Sequence, residues 1–187
     1  MKKVAVYCGA STGNKPMYEA ATVELAHWLV AHDLELVYGG GGVGLMGVLA
    51  NTVISDGGQV HGIIPQDLYD RGTALKTLTD LRVVADMDVR KATMMKEADA
   101  CVALPGGPGT LEEIAEAYSW ARIGDNDDPC VFFNVNGYYD PLRQMFDRMT
   151  EEAFLTEPDR QKLLFSDSLS DVWTFINSYV PPVIRTY

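Results

Sequence analysis

The sequence predicts an α/β fold, a Rossmann-like open parallel sheet with helices on both faces. Three observations lead there. Apolar runs rich in β-branched residues alternate with segments of helical period from end to end. Three of those runs end in small, glycine-rich turns. No repeat, low-complexity tract or Pro/Gly/Ser linker divides the 187 residues. Residues 1–187 are therefore expected to form one nucleotide-binding domain, which at this length buries roughly 70% of its unfolded surface without a disulfide or metal.

The first run, Val4-Ala5-Val6-Tyr7-Cys8, follows two lysines but is short and ends in a glycine turn rather than a cleavage site. It reads as a strand at 4–8, not as a leader. Further strands are expected at 34–38, 60–64, 81–84, 100–104 and 130–135. Helices are expected between them at 16–32, 43–57, 86–98, 110–123 and 138–153, with a last one near 168–179. Residues 65–79 are the least regular and read as a surface excursion.

Composition narrows the partners. No apolar stretch reaches the roughly 18–20 residues of a bilayer-spanning helix, so no membrane association is expected. The formal charge of −11 opposes binding to nucleic acid, which depends on clustered Lys and Arg. Cys8, Cys101 and Cys130 are odd in number, lack CxxC spacing and lie in strand-like runs. Buried reduced thiols are the expectation, and with them a cytoplasmic location. His27, His32 and His61 are scattered, and Asp125-Asn126-Asp127-Asp128 lacks calcium-loop spacing and reads as a solvated turn. No metal or cofactor is expected.

The glycine turns are Cys8-Gly9-Ala10-Ser11-Thr12-Gly13, Tyr38-Gly39-Gly40-Gly41-Gly42-Val43-Gly44 and Leu104-Pro105-Gly106-Gly107-Pro108-Gly109-Thr110. Strand carboxyl ends share one edge of a parallel sheet, so the three should converge there. Glycine allows close backbone approach, and a following helix N-terminus favours phosphate. Neither GxGxxG nor GxxxxGK[ST] spacing is present, which argues against a standard dinucleotide fold or a P-loop kinase.

Thr110-Leu111-Glu112-Glu113 has the S/T-x-x-E form of a capping box, a reading in which Glu113 merely satisfies backbone donors. Glu112 competes as a first-turn carboxylate favoured by the helix dipole. Arg90 and Lys91 stand early in the 86–98 helix, where positive charge opposes that dipole. They read either as a solvated basic pair or as a functional one. Met87, Met94 and Met95 read as core or interface packing.

At this point the sequence resembles the LONELY GUY (LOG) family of phosphoribohydrolases, which activate cytokinins and whose bacterial members are often labelled possible lysine decarboxylases. The residues that carry the resemblance are Pro105-Gly106-Gly107-Pro108-Gly109-Thr110-Leu111-Glu112-Glu113, matching PGGxGTxxE, and Ala85-Asp86-Met87-Asp88-Val89-Arg90-Lys91. The second glycine turn continued through Leu45-Met46-Gly47, and Asn134-Val135-Asn136-Gly137-Tyr138-Tyr139, add to it. The resemblance implies hydrolysis of the N-glycosidic bond of purine nucleoside 5′-monophosphates, with Arg90 and Glu113 as the catalytic pair. It also implies that Lys91 and Gly107, Pro108, Gly109, Thr110, Leu111 and Glu112 line the nucleotide site, and that the chain forms a homodimer. Gly9, Ser11, Gly40, Gly41 and Met87 complete the expected substrate contacts.

Cleaving a ribosyl C1′–N bond passes through an oxocarbenium-like state, by analogy with glycoside hydrolysis, and needs a carboxylate near C1′. Glu113 can orient or deprotonate water, and Arg90 can fix Glu113 or offset anionic charge. Two rival readings are a noncatalytic nucleotide sensor or carrier and a decarboxylase using a lysine Schiff base with pyridoxal phosphate. No lysine is marked for the second.

Overall fold

The protein is described over residues 1–184 in a computed structural model. Seven strands pair in parallel in one sheet: β1 (Lys3–Tyr7), β2 (Glu35–Tyr38), β3 (Val60–Pro65), β4 (Asp80–Val84), β5 (Cys101–Ala103), β6 (Cys130–Phe133) and β7 (Leu163–Ser166). Their order is β4-β3-β2-β1-β5-β6-β7. Eight helices are present among the described residues: α1 (Pro16–Ala31), α2 (Gly44–Ser55), α3 (Gln66–Asp70), α4 (Met87–Glu97), α5 (Pro108–Ala121), α6 (Asp140–Glu151), α7 (Glu157–Arg160) and α8 (Leu169–Ser178).

The central strands are apolar because both of their faces are covered. Val4 and Val6 pack with Leu25, Leu29, Leu45, Leu49, Val172 and Ile176 under α1, α2 and α8. Ala5, Tyr7 and Phe132 pack with Met94, Met95, Ile114, Ala117 and Phe146 under α4, α5 and α6. The expected alternation and two-sided cover are therefore present. None of these helices is long and apolar enough to cross a membrane.

The strand order reverses between β1 and β5, where crevices at the carboxyl edge of open α/β sheets form. Helix α4 leaves edge strand β4 and crosses back over β3, β2 and β1 to reach β5. Its first turn consequently stands above the carboxyl ends of β2 and β3, beside the second glycine turn.

Three segments differ from the sequence expectation. Strand β7 was not anticipated: Leu163-Leu164-Phe165 is too short to declare a period, and its extended state comes from pairing with β6 through Cys130↔Leu163 to Phe133↔Ser166. The 65–79 excursion is not free of the body. It contains α3 and then lies against the second glycine turn, with Gly42 N–H donating to Thr73 O at 2.9 Å and Leu75 N–H to Gly40 O at 2.9 Å. Nor is 125–128 a simple solvated turn, since Asn126 is buried and donates to Ala117 O at 2.9 Å at the end of α5.

Candidate active site

The three glycine turns converge and are hydrogen-bonded to one another. Gly9 N–H donates to Pro105 O at 3.1 Å, and Gly9 O accepts from Leu45 N–H at 3.0 Å and from Met46 N–H at 3.4 Å. A side chain at Gly44, whose φ is +59°, would lie 2.2 Å from the Ala10 carbonyl carbon. Several of these glycines therefore exist so that turn can pack on turn.

That packing distinguishes the turns chemically. The N-terminal donors of α2 are occupied by Gly9 O, which leaves little there for an anion. In the third turn the four carbonyls are occupied instead: Leu104 O by Tyr139, Pro105 O by Gly9, Gly106 O by Tyr138 and Gly107 O by Leu111 N–H. The N–H groups of Gly106, Gly107, Gly109 and Thr110 have no protein acceptor among the described residues. A run of free N–H groups at a helix N-terminus is an anion cradle. Gly107 and Gly109 have negative-φ backbones, and added side chains there would meet nothing within 4 Å. Neither strain nor packing requires glycine at these positions, and the open space beside them leaves the backbone accessible for close approach.

The capping box predicted for Thr110 and Glu113 is absent. Helix α5 starts earlier, with Gly107 as its N-cap and Pro108 in its first turn, so both residues lie inside the helix. Pro108 favours this earlier start because its fixed φ suits the first helical position and its missing N–H is not needed there. Thr110 is buried beside Gly106, and Glu113 points into a cavity of about 390 Å³.

Arg90 meets Glu113 in that cavity, its Nη1 3.1 Å from Oε1. The side chains are only 11% and 9% exposed. The contact is an ion pair without hydrogen-bond alignment, which leaves Glu113 Oε1 with no hydrogen-bond partner. Arg90 is held by Nε donation to Ile63 O at 3.2 Å and by Nη1 against Met87 Sδ at 3.0 Å. Its Nη2 fills the place a side chain at Gly39 would take. Burial pushes the Glu113 carboxyl above its ordinary range, Arg90 pulls it down, and Glu112 raises it again. A buried carboxylate with a raised pKa beside a cavity has the setting of a general base.

Arg90, Glu113, Gly41, Gly107, Pro108, Gly109 and Thr110 share the walls of this cavity. Gly9 and Ser11 line an adjoining cavity with Tyr18 and Tyr138, joined to the first through Ala10 and Gly107. Gly40, at φ +75°, serves the turn itself and packs against Ile64. Met87 braces Arg90, while Leu111 and Glu112 are largely exposed. Lys91 does not face the cavity: its ammonium lies 2.9 Å from Glu112 and 3.0 Å from Glu116. Cys8, Met46, Leu68 and Thr73 also line the cavity. No motif pointed to Leu68 and Thr73, because only the docking of the excursion brings them there.

These features define a class: a Rossmann-like α/β protein with a buried arginine–carboxylate pair beside a glycine turn that carries free N–H groups. The chain belongs to the family described as possible lysine decarboxylase, whose model matches residues 46–176, and within it to the LOG proteins. It is 42% identical to cytokinin riboside 5′-monophosphate phosphoribohydrolase LOG1 of Arabidopsis thaliana, over 96% of this chain and 84% of that one. It is 41% identical to the probable phosphoribohydrolase LOGL5 of Oryza sativa subsp. japonica, over 97% and 74%. The resemblance seen in the motifs is thus borne out across the chain. The molybdenum cofactor carrier protein of Chlamydomonas reinhardtii shares the fold at 16% identity and a TM-score of 0.70, over 95% of this chain and 99% of that one.

The family's descriptive label implies pyridoxal phosphate, and the residues present do not fit it. Lys91 is the one buried lysine among the described residues. The hydrogen bond it donates to Glu112 and its ion pair with Glu116 raise its pKa and keep it protonated, whereas Schiff-base formation needs a free amine.

Proposed function

We propose that this chain hydrolyses the N-glycosidic bond of purine nucleoside 5′-monophosphates, cytokinin riboside monophosphates or AMP, to free base and ribose 5-phosphate. The observation that carries this reading is the buried Arg90–Glu113 pair set beside the free N–H groups of the third turn. The turn binds the 5′-phosphate, and the sugar lies over Glu113. Glu113 takes a proton from water as its oxygen bonds to C1′. The C1′–N bond breaks with its electron pair leaving on the base, which takes up one proton. Arg90 opposes the upward shift that burial gives the Glu113 carboxyl and counters the substrate's negative charge.

Incubation with AMP and isopentenyladenosine monophosphate tests this, with release of free base and ribose 5-phosphate as the expected result. Monophosphates should be cleaved far faster than the matching nucleosides, because phosphate binding energy is used at the reacting centre. Binding without base release would favour the sensor or carrier reading.

We also infer a homodimer and a cytoplasmic, small-molecule role without nucleic acid for the whole 187-residue domain. Edge strand β4 exposes Val83, and the following first turn of α4 exposes Met87 and Val89. Apolar surface grouped in this way marks an interface. Met94 and Met95, read from the sequence as core or interface packing, are buried in the chain's own core. Buried reduced Cys8, Cys101 and Cys130 and the charge of −11 support the location and ligand class. Light scattering should give twice the 20.6 kDa chain mass; a monomer at micromolar concentration would refute the dimer.

A further inference from the structure

The segment Asn134-Val135-Asn136-Gly137-Tyr138-Tyr139 follows β6, outside the two motifs that supply Arg90 and Glu113. Its local structure is strongly specified. Asn136 at φ +53° and Gly137 at φ +68° place two successive residues in the left-handed region, which Asn and Gly tolerate best. Asn134 closes the bend, accepting from Tyr139 N–H at 2.7 Å and donating to Asp140 Oδ1 at 2.8 Å. The bend brings two consecutive phenols over the third glycine turn.

Both phenols donate to backbone carbonyls of that turn: Tyr139 to Leu104 O at 2.6 Å and Tyr138 to Gly106 O at 2.5 Å. Between them, Pro105 O accepts from Gly9 N–H. In a planar trans peptide the C=O and N–H point in opposite directions. Anchoring Gly106 O on Tyr138 therefore turns the Gly107 N–H to the opposite side of the chain, and anchoring Pro105 O does the same for Gly106 N–H. Burial pushes the Tyr139 phenol up, so it remains a donor. The Tyr138 ring is held edge-on against Tyr18, with centroids 5.8 Å apart, and against Tyr139 at 4.9 Å.

We propose that Tyr138 is a positioning residue that fixes the peptide orientation of the third glycine turn, so that the Gly107 N–H faces the substrate's phosphate, while Tyr139 holds the end of the strand beneath it. Neither is a catalytic residue, since each acts through the backbone it holds. The proposal rests on the reading of that turn as the phosphate site. It separates affinity for the phosphate from the chemistry at Glu113, because neither tyrosine lines the cavity that holds Arg90 and Glu113.

The test is Tyr138→Phe, which keeps the ring packing and removes one donor from a residue that is 41% exposed. Ribose 5-phosphate is the probe, its Kd measured by calorimetry alongside kcat and KM for AMP and for adenosine. The expected result is about a tenfold loss of ribose 5-phosphate affinity, the worth of roughly one hydrogen bond. The loss for AMP should appear in KM more than in kcat and should exceed any loss for adenosine, with Tm little changed. Tyr139→Phe should instead lower the Tm, since it leaves a buried carbonyl unpartnered, with a smaller loss of ribose 5-phosphate affinity, because the peptide it anchors ends on Pro105 and has no N–H. Unchanged ribose 5-phosphate affinity in Tyr138→Phe, or an equal loss for AMP and adenosine, would overturn the proposal, as would a wild-type protein that binds no ribose 5-phosphate. Binding without any hydrolysis would refute the proposed function and leave this assignment standing on the affinity change.

Discussion

Arg90 and Glu113 belong to successive helices on either side of β5, yet their side chains stand 3.1 Å apart. The sheet order brings them together: α4 begins above β2 and β3, and α5 begins above β5. Glu113→Gln keeps the side-chain shape and removes the base. Turnover should fall by on the order of 10²–10⁴, the range of a positioned acid or base, while nucleotide binding persists. The Tm should move little, because relief of a buried charge opposes the loss of the Arg90 counterion. Near-normal release of base by this variant would show that the carboxylate is structural.

The acid limb of kcat/KM should report Glu113. Burial raises its carboxyl above the ordinary glutamate value, and a general base works only when ionised. Activity is therefore expected to decline as pH falls through that raised value. Glu112→Gln removes a repelling charge and should move the limb to lower pH. Arg90→Gln removes the attracting charge and should move the limb of its residual activity to higher pH. If both variants keep the wild-type limb, another group sets it.

The alternation of strands and helices and the convergence of glycine turns were legible because both depend on local residue pattern. Arg90 and Glu113 were legible through motif resemblance, but spacing alone favoured Glu113 as a cap. Pro108 decided otherwise by starting α5 two residues before Thr110. Lys91 could not be placed from sequence, since its partner Glu116 lies one helical turn beyond the motif. Leu68 and Thr73 were invisible because their position follows from backbone hydrogen bonds between the excursion and the second glycine turn.

Two glycine substitutions should separate ligand space from packing space. Gly109→Ala meets nothing within 4 Å, and alanine is favoured in a helix by up to about 1 kcal/mol. Its Tm should hold or rise, while kcat/KM for AMP falls on the order of 10²-fold through displacement of the phosphate. Gly44→Ala collides with Ala10 at positive φ and should destabilise by about 1–3 kcal/mol or more. Melting curves paired with AMP kinetics read both; full activity in Gly109→Ala would remove the phosphate from this turn.

Asp128 gives the fold a pH dependence of its own. Burial, with Asp99 and Asp127 nearby, pushes its carboxyl up to about 7. The folded state then holds a proton that the unfolded chain releases near pH ~4. The linked stability is complete below that lower value and is lost as pH rises through about 7. Asp128→Asn should therefore melt a few degrees above wild type at pH 8 and close to it at pH 4. A constant Tm difference across that range would refute the shift.

The space beside Gly39 that admits the Arg90 guanidinium couples two positions far apart in the chain. While the arginine is present, any side chain at Gly39 displaces it from Glu113. In descendants that have lost the arginine, this constraint on Gly39 is lifted. The two positions should therefore drift as a pair, a larger residue in place of Gly39 being tolerated best where Arg90 is replaced by a shorter side chain.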